Sequence, residues 1–463
     1  MKISSIYTLY ESLLDQSIIV QGWVLTSRKQ KDITFVKLND GSHHEGIQLV
    51  IDSATDLKLT IGYSLKVEGK LIKSPAEGQL FELLVKDIEI LGTCDPITYP
   101  LSKSKMTLDY LRNYSHLRFR TSSFGSVFRI KSAISYATHS FFNKNSFFHL
   151  DPNIITKNEC EGGAGVFQVT EQDISIPNKL PRVIEDKDKK VTENYDWNQD
   201  HFGTPVYLTV SSQLQLEAIA CALGSVYTTN KSFRSEHSST SKHLSEFIHL
   251  EIETCFVELG DLMSISEQYI KYIGNYLLDN HLDDIENLNK FVSKGLKERI
   301  QTICNAKFNR ITYDDAIKIA QDNNKTIKYG EDLNSDIENF LTDYFNGPVF
   351  VFNWPIAIKS FYMKQDKDNV KLCNNFDLLM PYKIGELIGG SMREDDYDNL
   401  LFMMKTKGID ANLMKFYTDL RLFGTVPHGG FGLGFDRLTM LFTGMENIKD
   451  TVPFPISYKN CEY

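Results

Sequence analysis

The sequence predicts an α+β protein in which a small β-barrel precedes a larger mixed domain, and three observations carry this. The first 95 residues hold five runs rich in β-branched and aromatic residues, separated by turn signals. From about residue 101 onward, segments of helical spacing alternate with short strands. A highly charged stretch of helical pattern, about 264–345, lies between two glycine-bearing segments and reads as a helical insertion.

The five runs are 18–25, 33–38, 47–51, 64–72 and 81–91, and Asn39-Asp40-Gly41 is the clearest turn. Five strands in about 90 residues is the size and count of an OB-type barrel. Pro96 and Pro100 mark a linker at 96–115. Residues 127–142 place apolar side chains at helical spacing, and 181–200 carry ten charges in twenty residues, an exposed excursion. The predicted organisation is therefore a barrel over 1–95, the linker, and a second domain over 116–463 that contains the helical insertion.

Composition narrows the function. Of 463 residues, 42% are apolar and 24% charged, the balance of an ordinary globular chain. No run of about 18 uncharged apolar residues exists, so no membrane span is expected. The acidic, uncleavable start argues against a secretory signal, so a cytoplasmic protein is expected. Seven cysteines without a CxxC pair give no disulfide framework and no thiolate zinc site. A net charge of −10 excludes a globally basic nucleic-acid binder but leaves room for a local basic path.

Three segments carry chemistry. In 233–253, FRSEHSSTSKHLSEFIHLEIE, the return half alternates. Ile248, Leu250 and Ile252 fall on one face, and Phe247, His249, Glu251 and Glu253 on the other. Arg234 and Glu236 precede a polar loop holding Lys242 and His243. In 429–443, GGFGLGFDRLTMLFT, glycines 430, 432 and 434 leave one strand face bare, which lets a flat ring or a backbone approach. The spacing is not GxGxxG, so no dinucleotide fingerprint is present. In 376–394, Asp377 and Glu386 are candidate oxygen ligands for Mg²⁺, with Arg393 seven residues beyond Glu386. On the barrel, Arg28, Lys29, Lys31 and Lys37 surround Phe35, a pattern suited to single-stranded nucleic acid, although residues 1–100 hold 10 basic and 13 acidic residues.

At these segments the sequence resembles the class II aminoacyl-tRNA synthetases. FRSEHSSTSKHLSEF is similar to the family's second motif and GGFGLGFDRL to its third. A leading barrel points to the Asp/Lys/Asn subgroup. HLRFRT (116–121), NECEGGAG (158–165), IKSFYMK (358–364), GELIGGSMRE (385–394) and TGMENIKDTVPFP (443–455) are most similar to its asparagine-specific members. The resemblance implies a catalytic domain on an antiparallel sheet, a homodimer, and an ATP- and Mg²⁺-dependent joining of L-asparagine to tRNA-Asn. Aspartate-specific relatives, or a tRNA-independent asparagine synthetase of the same descent, are the alternatives.

Residue by residue, the resemblance implies that Arg234 and Arg437 act on the phosphates. Glu236, Lys242, His243, Leu244, Phe247, Glu386 and Gly434 complete an ATP site, in which Phe247 stacks on adenine. Asp377 and Glu386 hold the metal. Glu161, Ser211, Gln213, Glu251 and Arg393 form the amino-acid pocket, with Glu251 and Arg393 as the pair facing the substrate side chain. Phe35, Gln48 and Glu89 grip the anticodon. Three positions depart from the family pattern. Asn153 stands where a proline closes the first motif, with Pro152 one residue early. Val166 replaces a glutamate after the GAG turn. His249 stands where methionine is expected, and a satisfied structural histidine is the reading kept for it.

Overall fold

The computed structural model describes residues 1–52, 58–102, 106–158, 165–185, 190–238 and 240–463. By compactness the chain divides into two units, 1–133 with 280–297, and 134–279 with 298–463.

In the first unit, β1 (Ser17–Gln30), β2 (Ile33–Asn39), β3 (Ile47–Asp52), β4 (Ser64–Lys73) and β5 (Phe81–Gly92) close a barrel in the order β1-β2-β3-β5-β4. Alternate residues point inward, among them Val20, Val36, Leu49, Val67 and Leu83, all fully buried. Helix α1 (Ile3–Leu13) adds Ile3, Ile6 and Leu13 to the same core. Closure brings strands too near for side chains at two points. A Cβ on Gly22 would lie 2.6 Å from the Asn39 carbonyl oxygen, and one on Gly69 2.4 Å from that of Leu84.

Helix α2 (Ser122–Lys144) contains the predicted 127–142 segment. Its first-unit part binds α5 (Leu282–Phe291) through Arg129 and Ser126. The Arg129 Nη2 and Ser126 Oγ reach Asp284 Oδ1 at 2.7 and 2.8 Å.

The second unit is built on an eight-stranded sheet. Its strands are β6 (Phe148–His149), β7 (Ser225–Phe233), β8 (Glu246–Cys255), β9 (Asn309–Thr312), β10 (Val349–Phe352), β11 (Asn375–Met380), β12 (Gly385–Met392) and β13 (His428–Gly434). They run in the order β9-β10-β11-β12-β13-β8-β7-β6, antiparallel except at the two outermost pairs. Helix α3 (Gln213–Leu223) packs on β7 and β8. The charged excursion forms an exposed two-stranded hairpin, Arg182–Glu185 with Lys190–Tyr195.

The stretch 264–345 holds α4 (Leu259–Asn280), α5, α6 (Leu296–Asn305), α7 (Tyr313–Asp322) and α8 (Ser335–Tyr344). It is not wholly helical. The run Asn309–Thr312 pairs beside Val349–Phe352, so this stretch supplies the edge strand β9. The Asn334 side chain caps α8 by accepting from the Asp336 and Ile337 N–H groups. Ile337 and Leu341 then pack on the core around buried Trp354. Among the described residues, no helix is long and apolar enough to cross a membrane.

Candidate active site

The centre of the sheet is a ladder of bare backbone. Strand β13 lies between β8 and β12, and its glycines face flanking residues of both. At one level Gly430 stands between Glu253 and Ser391, and at the next Gly432 stands between Glu251 and Gly389. A Cβ on Gly430 would meet the Glu253 carboxyl carbon at 2.5 Å, and one on Gly432 would meet His249 Nε2 at 2.6 Å. Larger residues there would fill the trough above the sheet.

One end of the trough suits a nucleotide. Arg234, Glu236, Lys242, His243, Leu244, Phe247, Glu386, Gly434 and Arg437 all line a single pocket, with His249 and Gly432 on its wall. Arg234 and Glu236 lie past the end of β7, in the loop rather than on the strand. The Arg234 N–H donates to the Ser245 carbonyl oxygen at 3.0 Å, which closes the loop on itself. The Arg234 guanidinium carbon stands 5.5 Å from the Phe247 ring centre. Arg437, in the first turn of α10 (Phe435–Thr443, with α9 spanning Lys415–Leu422), donates through Nη1 to the Glu386 carbonyl oxygen at 2.8 Å. Burial, with Arg437 nearby, lowers the pKa values of both Lys242 and His243.

Two carboxylates converge beside this pocket. A Cβ on Gly389 would lie 3.1 Å from Glu386 Oε1 and 3.6 Å from Asp377 Oδ1, so the acids approach each other over bare backbone. Burial and the Glu386 charge push the Asp377 carboxyl up to about 7, against the pull of Lys359. The Lys359 Nζ donates to Asp377 Oδ2 at 3.0 Å. Glu338, on α8, accepts the Glu386 N–H, and burial with the Glu386 charge brings its carboxyl to about 7. The described residues contain no cluster of three or more metal-ligating side chains. Two acids this close over bare backbone fit Mg²⁺, which takes few protein carboxylates and completes its shell with substrate phosphates.

The other end is a buried ionic network, and here the structure corrects the sequence. Glu251 does not pair with Arg393. Its oxygens accept instead from the Ser211 hydroxyl and, at 2.9 Å, from the Ser212 N–H. Arg393 binds Glu253, through Nε at 3.2 and 3.3 Å and through Nη2, and its Nε lies 3.8 Å from Glu217 Oε1. The register explains the difference. Glu253 shares the Gly430 level with Ser391, two residues before Arg393, whereas Glu251 is one level nearer the nucleotide end.

Glu217 also accepts from Arg421 Nη2 at 2.9 Å, Tyr417 Oη at 2.9 Å and Gln213 Nε2 at 3.0 Å. Burial alone would raise its pKa, but Arg421, His428 and Arg393 outweigh that and hold it well below the carboxylate range. Glu253 is pushed up to about 7 by burial, with Glu217 adding to the effect against Arg393. Glu161 lies outside the described residues.

Residues 107–458 match the family tRNA synthetases class II (D, K and N), and residues 18–91 match the OB-fold nucleic acid binding domain. The chain belongs to the class II tRNA synthetases. Among its relatives, the asparagine–tRNA ligase of Cytophaga hutchinsonii is 40% identical, covering 100% of this chain and 99% of that one. The asparagine–tRNA ligase of Parabacteroides distasonis is 42% identical over 96% of each. The crystal structure of asparaginyl-tRNA synthetase from Pyrococcus horikoshii with asparaginyl-adenylate superposes with a TM-score of 0.83, at 30% identity over 96% of each chain.

The synthetase's barrel requires a second correction. Phe35 pairs with Val50, and Gln48 with Lys37, on the outer face of β2 and β3. The Arg28 guanidinium carbon stands 5.6 Å from the Phe35 ring centre. Strand β5 runs parallel to β3 with Leu49 at Leu83 and Val50 at Leu84, so the residue on the Gln48 level is Glu82. Glu89 lies seven residues further along β5 and is bound at 3.0 Å by Lys66 of β4. The barrel therefore does not bring Glu89 to Phe35 and Gln48.

His249 is also not the satisfied residue expected. Its Nδ1 is buried without a hydrogen bond, 3.4 Å from Glu251 Oε1. Sequence reasoning missed Glu217, Arg421, His428, Lys359 and Glu338. Glu217 left one local signal, its place four residues after Gln213 on one face of α3. Lys359 stood inside the quoted IKSFYMK segment, whereas Arg421, His428 and Glu338 come from distant segments and had none.

Proposed function

We infer that the synthetase is an asparagine–tRNA ligase: it activates L-asparagine with ATP and transfers it to the 3′ end of tRNA-Asn. The observation that carries this reading is the buried Arg393 held between Glu253 and Glu217 at the closed end of the trough. A guanidinium already neutralised by carboxylates offers little to an aspartate side chain. It still leaves donors and acceptors for an uncharged amide. The relatives named above are asparagine–tRNA ligases along the whole length of the chain.

The chemistry needs no protein nucleophile. The asparagine carboxylate attacks the α-phosphorus of ATP, and pyrophosphate leaves. A ribose hydroxyl of the terminal tRNA adenosine then attacks the adenylate carbonyl, and AMP leaves. In this reading Phe247 stacks on adenine, and Arg234 and Arg437 lie where negative charge spreads over the phosphates. Glu236, Lys242, His243 and Leu244 line the remaining wall. Ser211, Gln213 and Glu251 orient the amino acid beside Arg393. Asp377 and Glu386 would hold Mg²⁺, which when bound neutralises phosphate charge.

Phe35 and Gln48, with Arg28 beside them, would read the anticodon, in an organisation of barrel over 1–95, linker over 96–115 and catalysis over 116–463. Phe148 on β6 and Leu223 just before β7 are large, apolar and exposed at this edge of the sheet, and we assign the edge to a homodimer. The synthetase would work in the cytoplasm with its tRNA.

Pyrophosphate exchange with asparagine and with aspartate, followed by charging of tRNA-Asn, tests the assignment. Asparagine should drive both exchange and charging. Preference for aspartate, or exchange without charging, would overturn it.

A further inference from the structure

The ordered face of β8 presents Phe247, His249 and Glu251 in succession. Side chains two residues apart on a strand lie about 6.6–6.8 Å apart. If the base stacks at Phe247 and the amino acid lies at Glu251, as in the function proposed above, then His249 stands beneath the ribose between them. Its ring forms part of the pocket wall, tilted edge-on to Phe247 with centres 5.8 Å apart. Only 14% of the side chain is exposed. The absence of a side chain on Gly432 leaves the room that Nε2 occupies.

The Nδ1 atom lies 3.4 Å from Glu251 Oε1 without hydrogen-bond geometry, while Glu251 is anchored by Ser211 and Ser212. A buried ring nitrogen left unmatched beside a fixed carboxylate is an arrangement that ligand binding can complete. A carboxylate at Nδ1 selects the tautomer with the proton there, which makes Nε2 an acceptor. Ionised phosphate oxygens and carbonyl oxygens cannot donate to it. A ribose hydroxyl can.

We propose that His249 is a substrate-contacting residue whose Nε2 accepts a hydrogen bond from a ribose hydroxyl, with Glu251 holding the imidazole in the required tautomer. The hydroxyl belongs to ATP or to the terminal adenosine of tRNA, and the two are separated by experiment. In the first arm, tRNA-free pyrophosphate exchange is measured with ATP, 2′-deoxyATP and 3′-deoxyATP. In the second, transfer from preformed adenylate is measured to tRNA ending in adenosine or in the deoxyadenosine that keeps the attacking hydroxyl and lacks its neighbour.

The variants are His249→Met, which keeps bulk over Gly432 without an acceptor nitrogen, and His249→Gln, which restores a polar group. The small His249→Ser variant asks the same question should the methionine variant fail to fold. In one arm, the wild type should lose about tenfold to a hundredfold on removal of one hydroxyl. His249→Met should show that loss with the natural substrate and no further loss with its deoxy form, and His249→Gln should recover part of it. The arm that responds names the source. If the methionine or serine variant keeps the wild-type sensitivity to every deoxy substrate in both arms, the proposal is overturned, whatever its absolute rate. Wild-type exchange with asparagine is the control: its absence would sink the ligase reading itself.

Discussion

Replacing Glu253 by glutamine should change which amino acid the synthetase prefers. Arg393 and Glu253 are 4% and 1% exposed, and above about pH 8 the Glu253 carboxyl, raised to about 7, is ionised, so at that pH the charge removed is a full and buried one. Glu217 cannot replace it fully, because it also serves Arg421 and His428. The variant therefore leaves Arg393 with close to one unbalanced positive charge. A substrate carboxylate about 4 Å from that charge gains about 4 kcal/mol at an effective dielectric constant of about 20. An asparagine amide gains little of this. That energy corresponds to about three decades, and partial cover from Glu217 brings the expected fall in the asparagine-to-aspartate ratio of kcat/KM to about two to three decades.

The assay is side-by-side pyrophosphate exchange with the two amino acids. Breaking a buried pair can cost about 3–5 kcal/mol of stability, so thermal melting comes first. Glu251→Gln is the comparison. Because Glu251 binds serines and no arginine, it should weaken both substrates and leave their ratio near the starting value. A folded Glu253→Gln with an unchanged ratio would refute the reasoning.

Three further outcomes are expected. Glu386→Ala should abolish adenylate formation while leaving the melting temperature near that of the wild type, since Glu386 is exposed; wild-type exchange would remove it from the phosphate site. Phe35→Ala should weaken tRNA charging by one to two decades, from a stacking contribution of about 1–3 kcal/mol, and leave tRNA-free exchange intact. Parallel loss of both activities would contradict the separation of roles. Burial would raise the Asp284 pKa, but His281, Arg129 and Ser126 outweigh it and bring it to about 2 from 3.8. A depressed carboxyl stabilises above its unfolded pKa and loses that contribution as the pH falls toward the folded one, here about 2 kcal/mol. The stability advantage of wild type over Asp284→Asn should therefore shrink from about pH 4 downward in denaturant titrations, and a constant advantage would count against it.

The barrel strands, the α2 segment and the three motif segments were legible in the sequence because they are set by local rules. Alternation marks Val20, Val36, Leu49, Val67 and Leu83 for one barrel interior, and three alternating glycines mark a bare strand face. The pocket at one end of the trough was legible through the family resemblance, since most of its wall comes from one hairpin loop and one strand-to-helix turn.

Tertiary structure alone decided the rest. Period-two alternation puts Glu251 and Glu253 on the same face but cannot say which of them meets Arg393, 140 residues from Glu253. Only the pairing of β8 and β12 across β13 selects Glu253. Likewise, the β3–β5 register, not the composition of β5, sets Glu82 rather than Glu89 level with Gln48. The convergence of Glu217, Arg421 and His428 joins residues up to 211 positions apart. Their separate neighbourhoods in the chain carry no trace of it, because a buried charge is specified by the partners that neutralise it. Those partners become neighbours only when the sheet assembles.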